Sequence, residues 1–254
     1  MIMAEELSKH KTSGRPGWSG PVFMVFARPV FLLAAQALAS LPLLVQHDPH
    51  PFQAAAKWWT VWGTLADGAC LLLIARLVRR EGLGLLDLMG FGRRKLSGDI
   101  LLGIGLFVLF LPTAVAGGIL LGGRLVYGSW WPASLPAGFI GRALPLWAVL
   151  YSRALWWPLW SWAEQMTFNG YALPRLQALT GRSWAAVGLV AFGWCLQHAF
   201  LPFLPDARYL VYRFIVFIPF NVVMPVLYLR LRRLTPLVVA HWLFDSLSTL
   251  ISIA

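Results

Sequence analysis

The sequence predicts an all-α membrane protein, a polytopic helix bundle of about seven transmembrane helices. Of its 254 residues, 59% are hydrophobic and only 12% are charged, and the mean hydropathy is +0.68. A water-soluble globular domain carries about twice that share of charged residues. Apolar runs of roughly 20 residues, the length needed to cross the ~30 Å hydrocarbon core of a bilayer, recur along the whole chain.

Seven apolar runs predict the membrane spans in chain order. They lie near residues 29–46, 58–78, 99–121, 143–163, 184–204, 209–229 and 235–253, with an extension of the fourth run to residue 178 as an open alternative. Residues 1–21 are expected to form a cytoplasmic N-terminal segment, and residues 22–254 a single membrane-embedded helical domain. The opening residues do not have the pattern of a signal peptide, so the first span is the expected targeting signal.

The net charge of +11 predicts orientation rather than binding to nucleic acid. With the N-terminus in the cytoplasm, the inside segments hold fifteen Lys and Arg residues, Arg28 among them, against four in the outside segments. This is the positive-inside bias of membrane proteins. We therefore expect a multi-pass integral protein of a bacterial plasma membrane, with a cytoplasmic N-terminus and contacts to anionic lipid headgroups.

Polar residues inside the spans are the candidates for function, because a charge at membrane depth costs at least ~2.5–3.5 kcal/mol on insertion scales. Glu164 opens the stretch EQMTFNGYALPRL, His198 follows Trp194 by four residues, and His241 precedes Asp245 by four. Residues four apart share one face of a helix. Three spans are thus expected to present acid–base groups to a common interior.

Other charges also fall inside or near the spans, among them Asp67, Arg153 and Arg213. Arg153 lies eleven residues before Glu164, about three helical turns away, which is too far for direct pairing. It is therefore a candidate partner for Asp67.

The polar pattern resembles the motifs of the CPBP family, the CAAX protease and bacteriocin-processing membrane proteins, also described as intramembrane glutamic endopeptidases. The family's first motif, Glu-Glu-x-x-x-Arg, is matched by residues 164–169 and by the Gly-Tyr and Pro-Arg-Leu that follow. The second motif, Phe-x-x-x-His, is matched by Trp194 and His198. The third, His-x-x-x-Asn or Asp, is matched by His241 and Asp245, so the likeness covers roughly the C-terminal half of the chain.

The first motif is degenerate at two positions. Gln165 and Asn169 stand where the family pattern has a second Glu and an Arg, four residues apart and able to pair as ions. Removing one partner of a buried ion pair costs ~3–5 kcal/mol, whereas neutralising both partners can be nearly free. The double change therefore resembles a compensated swap, and we expect supporting roles for Gln165, Asn169 and Trp194.

The resemblance implies an intramembrane peptidase that hydrolyses a peptide bond in a membrane-associated peptide or protein. Glu164 and His198 would activate a water, and His241 with Asp245 would stabilise the oxyanion. Asp245 would act either as a protonated donor or by orienting His241. The alternative is a non-catalytic CPBP-like protein that serves as a scaffold or assembly partner for other membrane helices. Small-molecule transport is a weaker third class, since paired broken helices of the transporter type are not evident.

We expect no metal or other cofactor. The four candidate residues, Glu164, His198, His241 and Asp245, have the side chains that zinc prefers. However, the sequence contains no His-Glu-x-x-His pattern, and the resemblance does not require a metal.

Helix length raises a question about this site. At 1.5 Å per residue, Glu164 and His198 would lie roughly 20 Å from the inside face of the membrane. His241, only a few residues after Arg233, would be much shallower. Either the last helix begins deep in the fold or these groups do not meet.

Overall fold

The computed structural model describes residues 17–90, 96–130 and 144–253, with side chains as far as residue 247. These residues form helices and no strands, which confirms the predicted all-α class. The long helices, in chain order, are α1 (Ser19–Val45), α2 (Trp59–Arg79), α3 (Leu96–Tyr127), α4 (146–180), α5 (Ser183–Ala199), α6 (Ala207–Leu231) and α7 (Thr235–Ile253). A short helix, Pro51–Ala56, and a 3₁₀ helix, Leu85–Met89, lie in the connections.

Each predicted span overlaps one of the long helices. Within the described residues, four helices are long and apolar enough to cross a membrane, namely α1, α2, α3 and α6. Large apolar side chains such as Leu41 on α1 and Val108 on α3 are exposed, as expected for helices whose outer faces contact lipid. The count of seven crossings and the division at residue 21 stay predictions, and residues 1–16 lie outside the described part of the chain.

Helix α4 is continuous but irregular. It runs to Thr180, past the end of the longer alternative for the fourth apolar run. Two π-helical segments interrupt it, Ser152–Trp156 and Met166–Ala172, and a proline follows shortly after each, Pro158 and Pro174. A proline ring clashes with the carbonyl four residues earlier, and a local π-helical turn is one way in which a membrane helix accommodates it.

Glycines allow two pairs of helices to approach closely. A Cβ atom at Gly193 of α5 would lie 2.2 Å from Val25 Cγ1 of α1. A Cβ atom at Gly103 of α3 would lie 2.7 Å from the carbonyl oxygen of Pro236 in α7. Small residues at such crossings are typical of helix packing in membranes. They bring α1 against α5 and α3 against α7, around the central helix α4.

Helix α7 begins inside the protein. Leu234, just before it, is fully buried, and its N–H donates to the carbonyl of Met89 at 3.0 Å. The 3₁₀ helix that ends at Met89 lies in the loop that follows α2. Residues 91–95 of that loop lie outside the described part of the chain. Gly170 of α4 packs here too, since a Cβ atom on it would lie 2.9 Å from Leu234 Cδ1.

Candidate functional site

Glu164 is held in the centre of the bundle by helix α5. Its side chain is fully buried, and its carboxylate accepts hydrogen bonds from the indole N–H of Trp194 and from the side-chain amide of Gln197. Trp194 and Gln197 are three residues apart and therefore share one face of α5. The phenylalanine of the family pattern has no such donor, so the tryptophan in this chain adds a hydrogen bond to Glu164.

Arg28 also reaches this site, and its position corrects the orientation count. Its side chain is fully buried in the middle of α1 rather than at the cytoplasmic edge. Its Nη2 atom lies 2.7 Å from Asp67 Oδ1 and 3.6 Å from Glu164 Oε1, and its Nε donates to Gln197. The physical reason is that α1 begins at Ser19 instead of residue 29, which carries Arg28 into the bundle.

The predicted partner of Asp67 was wrong for the same reason. Arg153 is exposed, and Asp67 pairs with Arg28, both side chains having no exposed surface. The sequence analysis did not include Arg28 among the site residues, because Arg28 lies one residue before the predicted first span, residues 29–46. The signal was its position inside the apolar stretch FMVFARPVFLL. Gln197 carried a weaker signal, its place directly before the motif residue His198.

His241 and Asp245 enter the site from helix α7. His241 is buried, and its Nε2 atom lies 3.7 Å from Glu164 Oε2 and 3.4 Å from Asp245 Oδ2. Asp245 Oδ2 also accepts a hydrogen bond from the Ser161 hydroxyl at 3.1 Å. Asp245 is therefore placed beside His241 and is anchored to α4 through Ser161.

The two amides of the degenerate motif form a chain that ends at His241. Asn169 Nδ2 donates to Gln165 Oε1 at 2.7 Å, and Gln165 Nε2 lies 3.3 Å from His241 Nδ1. Because the oxygen of Gln165 accepts from Asn169, its nitrogen faces His241 as the donor. In a neutral imidazole, one nitrogen accepts and the other carries the proton. This arrangement places the proton of His241 on Nε2, the atom that faces Glu164 and Asp245.

His198 lies in the same interior but outside this network. It is buried, and its ring stacks on Phe217 with centroids 3.6 Å apart and planes inclined by 8°. Neither ring nitrogen has a hydrogen-bond partner among the described residues. His198 follows Trp194 by one helical turn on α5, so it lies on the face that carries a donor to Glu164.

The start of α7 answers the question of depth. Gly170 and Leu234 are in contact where α4 and α7 meet the 3₁₀ helix. From this level, Glu164 is six residues back along α4 and His241 is seven residues forward along α7. At 1.5 Å per residue, these paths are roughly 9 and 10.5 Å long. The two side chains therefore reach the same level because the last helix begins deep in the fold.

Comparison with known proteins bears directly on these residues. Residues 143–247 match the family model described as Type II CAAX prenyl endopeptidase Rce1-like. This model describes an Rce1-like domain of the CPBP family, and the matched residues make up less than half of the chain. All four candidate residues, Glu164, His198, His241 and Asp245, lie within this domain. No curated protein and no solved structure matches the chain.

The apolar helices and the match to a family of membrane proteases together support an integral membrane protein. Arg28 and Asp67 lie on α1 and α2, before the start of the matched residues. Across residues 17–90, 96–130 and 144–253, no three His, Cys, Asp or Glu side chains are grouped as a metal site would require. The site brings the carboxyl groups of Glu164 and Asp245 and the imidazole of His241 together, with His198 in the same interior.

Proposed function

We propose that the protein is an intramembrane peptidase that hydrolyses a peptide bond in a membrane-associated peptide or protein, with a water activated by Glu164. One observation carries this proposal. Glu164 Oε2 faces His241 Nε2 at 3.7 Å, and Asp245 Oδ2 lies 3.4 Å from the same nitrogen. A base and a hydrogen-bond donor thus stand side by side in a buried site, as peptide hydrolysis requires.

In the proposed reaction, Glu164 takes a proton from water as the water oxygen bonds to the peptide carbonyl carbon. The carbonyl oxygen becomes an oxyanion, to which the Nε2–H of His241 donates. Collapse of this tetrahedral intermediate breaks the C–N bond, and Glu164 returns its proton to the departing amine. The water is consumed, a carboxyl group and an amine are formed, and no covalent enzyme intermediate is needed.

The other candidate residues support these two groups. Asp245 orients His241 from one helical turn away, which favours the orienting role over that of a protonated donor. Gln165 and Asn169 hold the tautomer of His241 that can donate from Nε2. His198, whose ring nitrogens have no partner among the described residues, is available to hold the water together with Glu164.

The substrate class follows from the family description, which names a prenyl endopeptidase acting on CAAX sequences. A lipid-modified peptide would lie in the bilayer beside an intramembrane site. We therefore choose a farnesylated CAAX peptide as the first probe and the same peptide without the farnesyl group as the second. Cleavage of both at equal rates would assign a membrane peptidase that does not recognise the prenyl group.

The test is peptide cleavage by the purified protein in lipid nanodiscs, followed by mass spectrometry. Glu164→Gln keeps the shape of the side chain but removes the proton-accepting carboxylate. The rate should fall by the ~10²–10⁴ that a general base contributes. Glu81→Gln is the matched control, because Glu81 pairs with Arg175 near the end of α2, outside the site, and should leave the rate unchanged. Wild-type turnover by Glu164→Gln would refute the role of Glu164.

The second candidate function is a scaffold for other membrane helices. It is favoured by the amides at Gln165 and Asn169, which replace the charged pair of the family motif, and by the complete burial of Glu164. A scaffold would bind a partner stably and process no peptide. Co-purification of a defined complex that is insensitive to Glu164→Gln, together with no cleavage of either probe by the wild type, would select this alternative.

A further inference from the structure

We infer that Arg28 is a positioning residue for Glu164, so that α1 and α2 complete a site whose motif residues lie on α4, α5 and α7. This inference rests on the proposed function. It assigns a role to residues that precede the Rce1-like domain and belong to none of its motifs. The contacts, the charges and the degenerate first motif each support it.

The contacts of Arg28 converge on one oxygen of Glu164. Arg28 Nη2 lies 3.6 Å from Oε1, and the Nε of the same guanidinium donates to Gln197, whose amide donates to Oε1 in turn. The other oxygen, Oε2, receives the indole N–H of Trp194 and faces His241. Arg28 therefore fixes the Oε1 side of the carboxylate. This leaves Oε2 facing His241, the residue that would donate a hydrogen bond to the oxyanion.

The guanidinium is itself held in place. Asp67 of α2 binds Nη2 at 2.7 Å, and the guanidinium lies 4.5 Å from the centre of the Trp160 ring. A planar guanidinium with its donors in a fixed fork can contact two partners in one geometry. An acidic residue on one helix and an aromatic ring on another thus restrict Arg28 to the orientation that reaches Gln197 and Glu164.

Arg28 supplies the positive charge next to the Glu164 carboxylate. Arg28, Asp67 and Glu164 have no exposed side-chain surface. Among the described residues, Arg28 is the one Lys or Arg side chain within 4.0 Å of Glu164. A charge at membrane depth is costly unless it is paired. A fully buried carboxylate in this bundle therefore depends on Arg28 for its positive neighbour.

The degenerate motif gives the inference its sequence context. The family pattern puts an arginine at the position of Asn169, and this chain has an amide there. Arg28 brings a guanidinium into the same buried network from a different helix. Its contacts differ from those of Asn169, because Arg28 lies beside Glu164, whereas Asn169 donates to Gln165. The chain thus combines a neutral amide pair with an arginine supplied by α1.

A purely structural ion pair is the competing explanation, and kinetics can separate the two roles. With the farnesylated CAAX peptide as probe, Arg28→Gln should lower kcat by about 100-fold, the scale of a misplaced catalytic group, while KM stays unchanged. Arg28→Lys keeps the charge but not the fork, so it should recover part of the loss. Arg153→Gln, at an exposed arginine of α4, is the matched control and should behave as the wild type.

The decisive readout is non-additivity. In a Glu164→Gln background, Arg28→Gln should cause no further loss of kcat, because the carboxylate that it positions is gone. A further loss in that background, or wild-type kcat in the Arg28→Gln single variant, would overturn the inference.

A second readout does not need a substrate. Arg28→Gln should lower the thermal unfolding midpoint measured by tryptophan fluorescence, because it leaves the carboxylates of Asp67 and Glu164 without their positive neighbour. In a Glu164→Gln background the same substitution should lower the midpoint less, because only Asp67 then loses its partner. If the wild type cleaves no probe but this coupling is present, the proposed function fails and the pairing of Arg28 with Glu164 is structural. Additive shifts in the two backgrounds would overturn the inference whether or not the protein is active.

Discussion

Gln165 links the residues that match the first motif of the family pattern to His241, which matches the third. Its amide is donor and acceptor at once, accepting from Asn169 and donating to His241. A glutamate at this position, as in the family pattern, could not donate to His241 Nδ1 and would place a further carboxylate beside Glu164. The amide at residue 165 therefore sets the tautomer of His241 without adding a charge, and Asn169 supports it by donating to Gln165 Oε1.

This role predicts the outcome of restoring the motif one residue at a time. Gln165→Glu alone should destabilise the protein by ~3–5 kcal/mol, the cost of a buried charge without its partner. Adding Asn169→Arg should raise the thermal midpoint again. Gln177→Glu, farther along α4 and not fully buried, is the matched control and should shift the midpoint little. Equal midpoints for the single and double variants would rule out the compensated swap.

At the scale of elements, the close approach of α1 and α5 holds Arg28 against Gln197. Gly193 lies one turn before Gln197 on α5, and Val25 lies three residues before Arg28 on α1. A side chain at Gly193 would meet both Val25 Cγ1 at 2.2 Å and the Val25 carbonyl oxygen at 2.7 Å. The backbone oxygen cannot move aside as a flexible side chain would, so the two helices would have to separate.

Gly193→Ala is therefore expected to destabilise the protein by ~1–3 kcal/mol, the usual range for overpacking, and to lower peptidase activity by moving Arg28 away from Glu164. Gly188→Ala is the control on the same helix, because a Cβ atom there would meet nothing within 4 Å. It should be neutral or stabilising, since alanine is the better helix former. Thermal melts and activity measured on both variants check the prediction, and equal behaviour of the two would contradict it.

The element scale also shows why the depth of the site was undecided from sequence. Hydropathy locates apolar runs, but it does not say that Leu234 lies inside the fold or that α7 begins beside Gly170. That placement comes from packing between residues far apart in the chain. Once it is known, the separations of Glu164 and His241 from this common level match.

At the scale of the whole molecule, the sequence predicts the helical class and the approximate position of each long helix. It also names Glu164, His198, His241 and Asp245 as one candidate site, while the depth of His241 leaves their meeting open. Those predictions rest on local periodicity and on motif spacing. The contributions of Arg28 and Gln197 were not predicted, because they depend on which helices become neighbours and in what register. A charged residue at the end of an apolar run can set the orientation of the helix in the membrane or be buried in the bundle, and the sequence pattern is the same in both cases.

The orientation of the bundle is a testable prediction at this scale. Removing Arg28 from the inside count leaves fourteen basic residues against four, so the positive-inside bias still places the loop after α2 in the cytoplasm. With both native cysteines replaced, Leu86→Cys should react with an impermeant thiol reagent only after the cells are opened, and Trp130→Cys in intact cells. Both positions are exposed. Reaction of both from the same side would contradict the predicted topology.

The central claim is that Glu164 activates a water for peptide hydrolysis, and cleavage in ¹⁸O-labelled water tests it most directly. The farnesylated CAAX peptide is incubated with the wild type and with Glu164→Gln for a single turnover, and the new C-terminal carboxyl group is analysed by mass spectrometry. The wild type should place one ¹⁸O atom in that carboxyl group, and Glu164→Gln should form no labelled product in the same time. Labelled product formed by Glu164→Gln at the wild-type rate would contradict the claim.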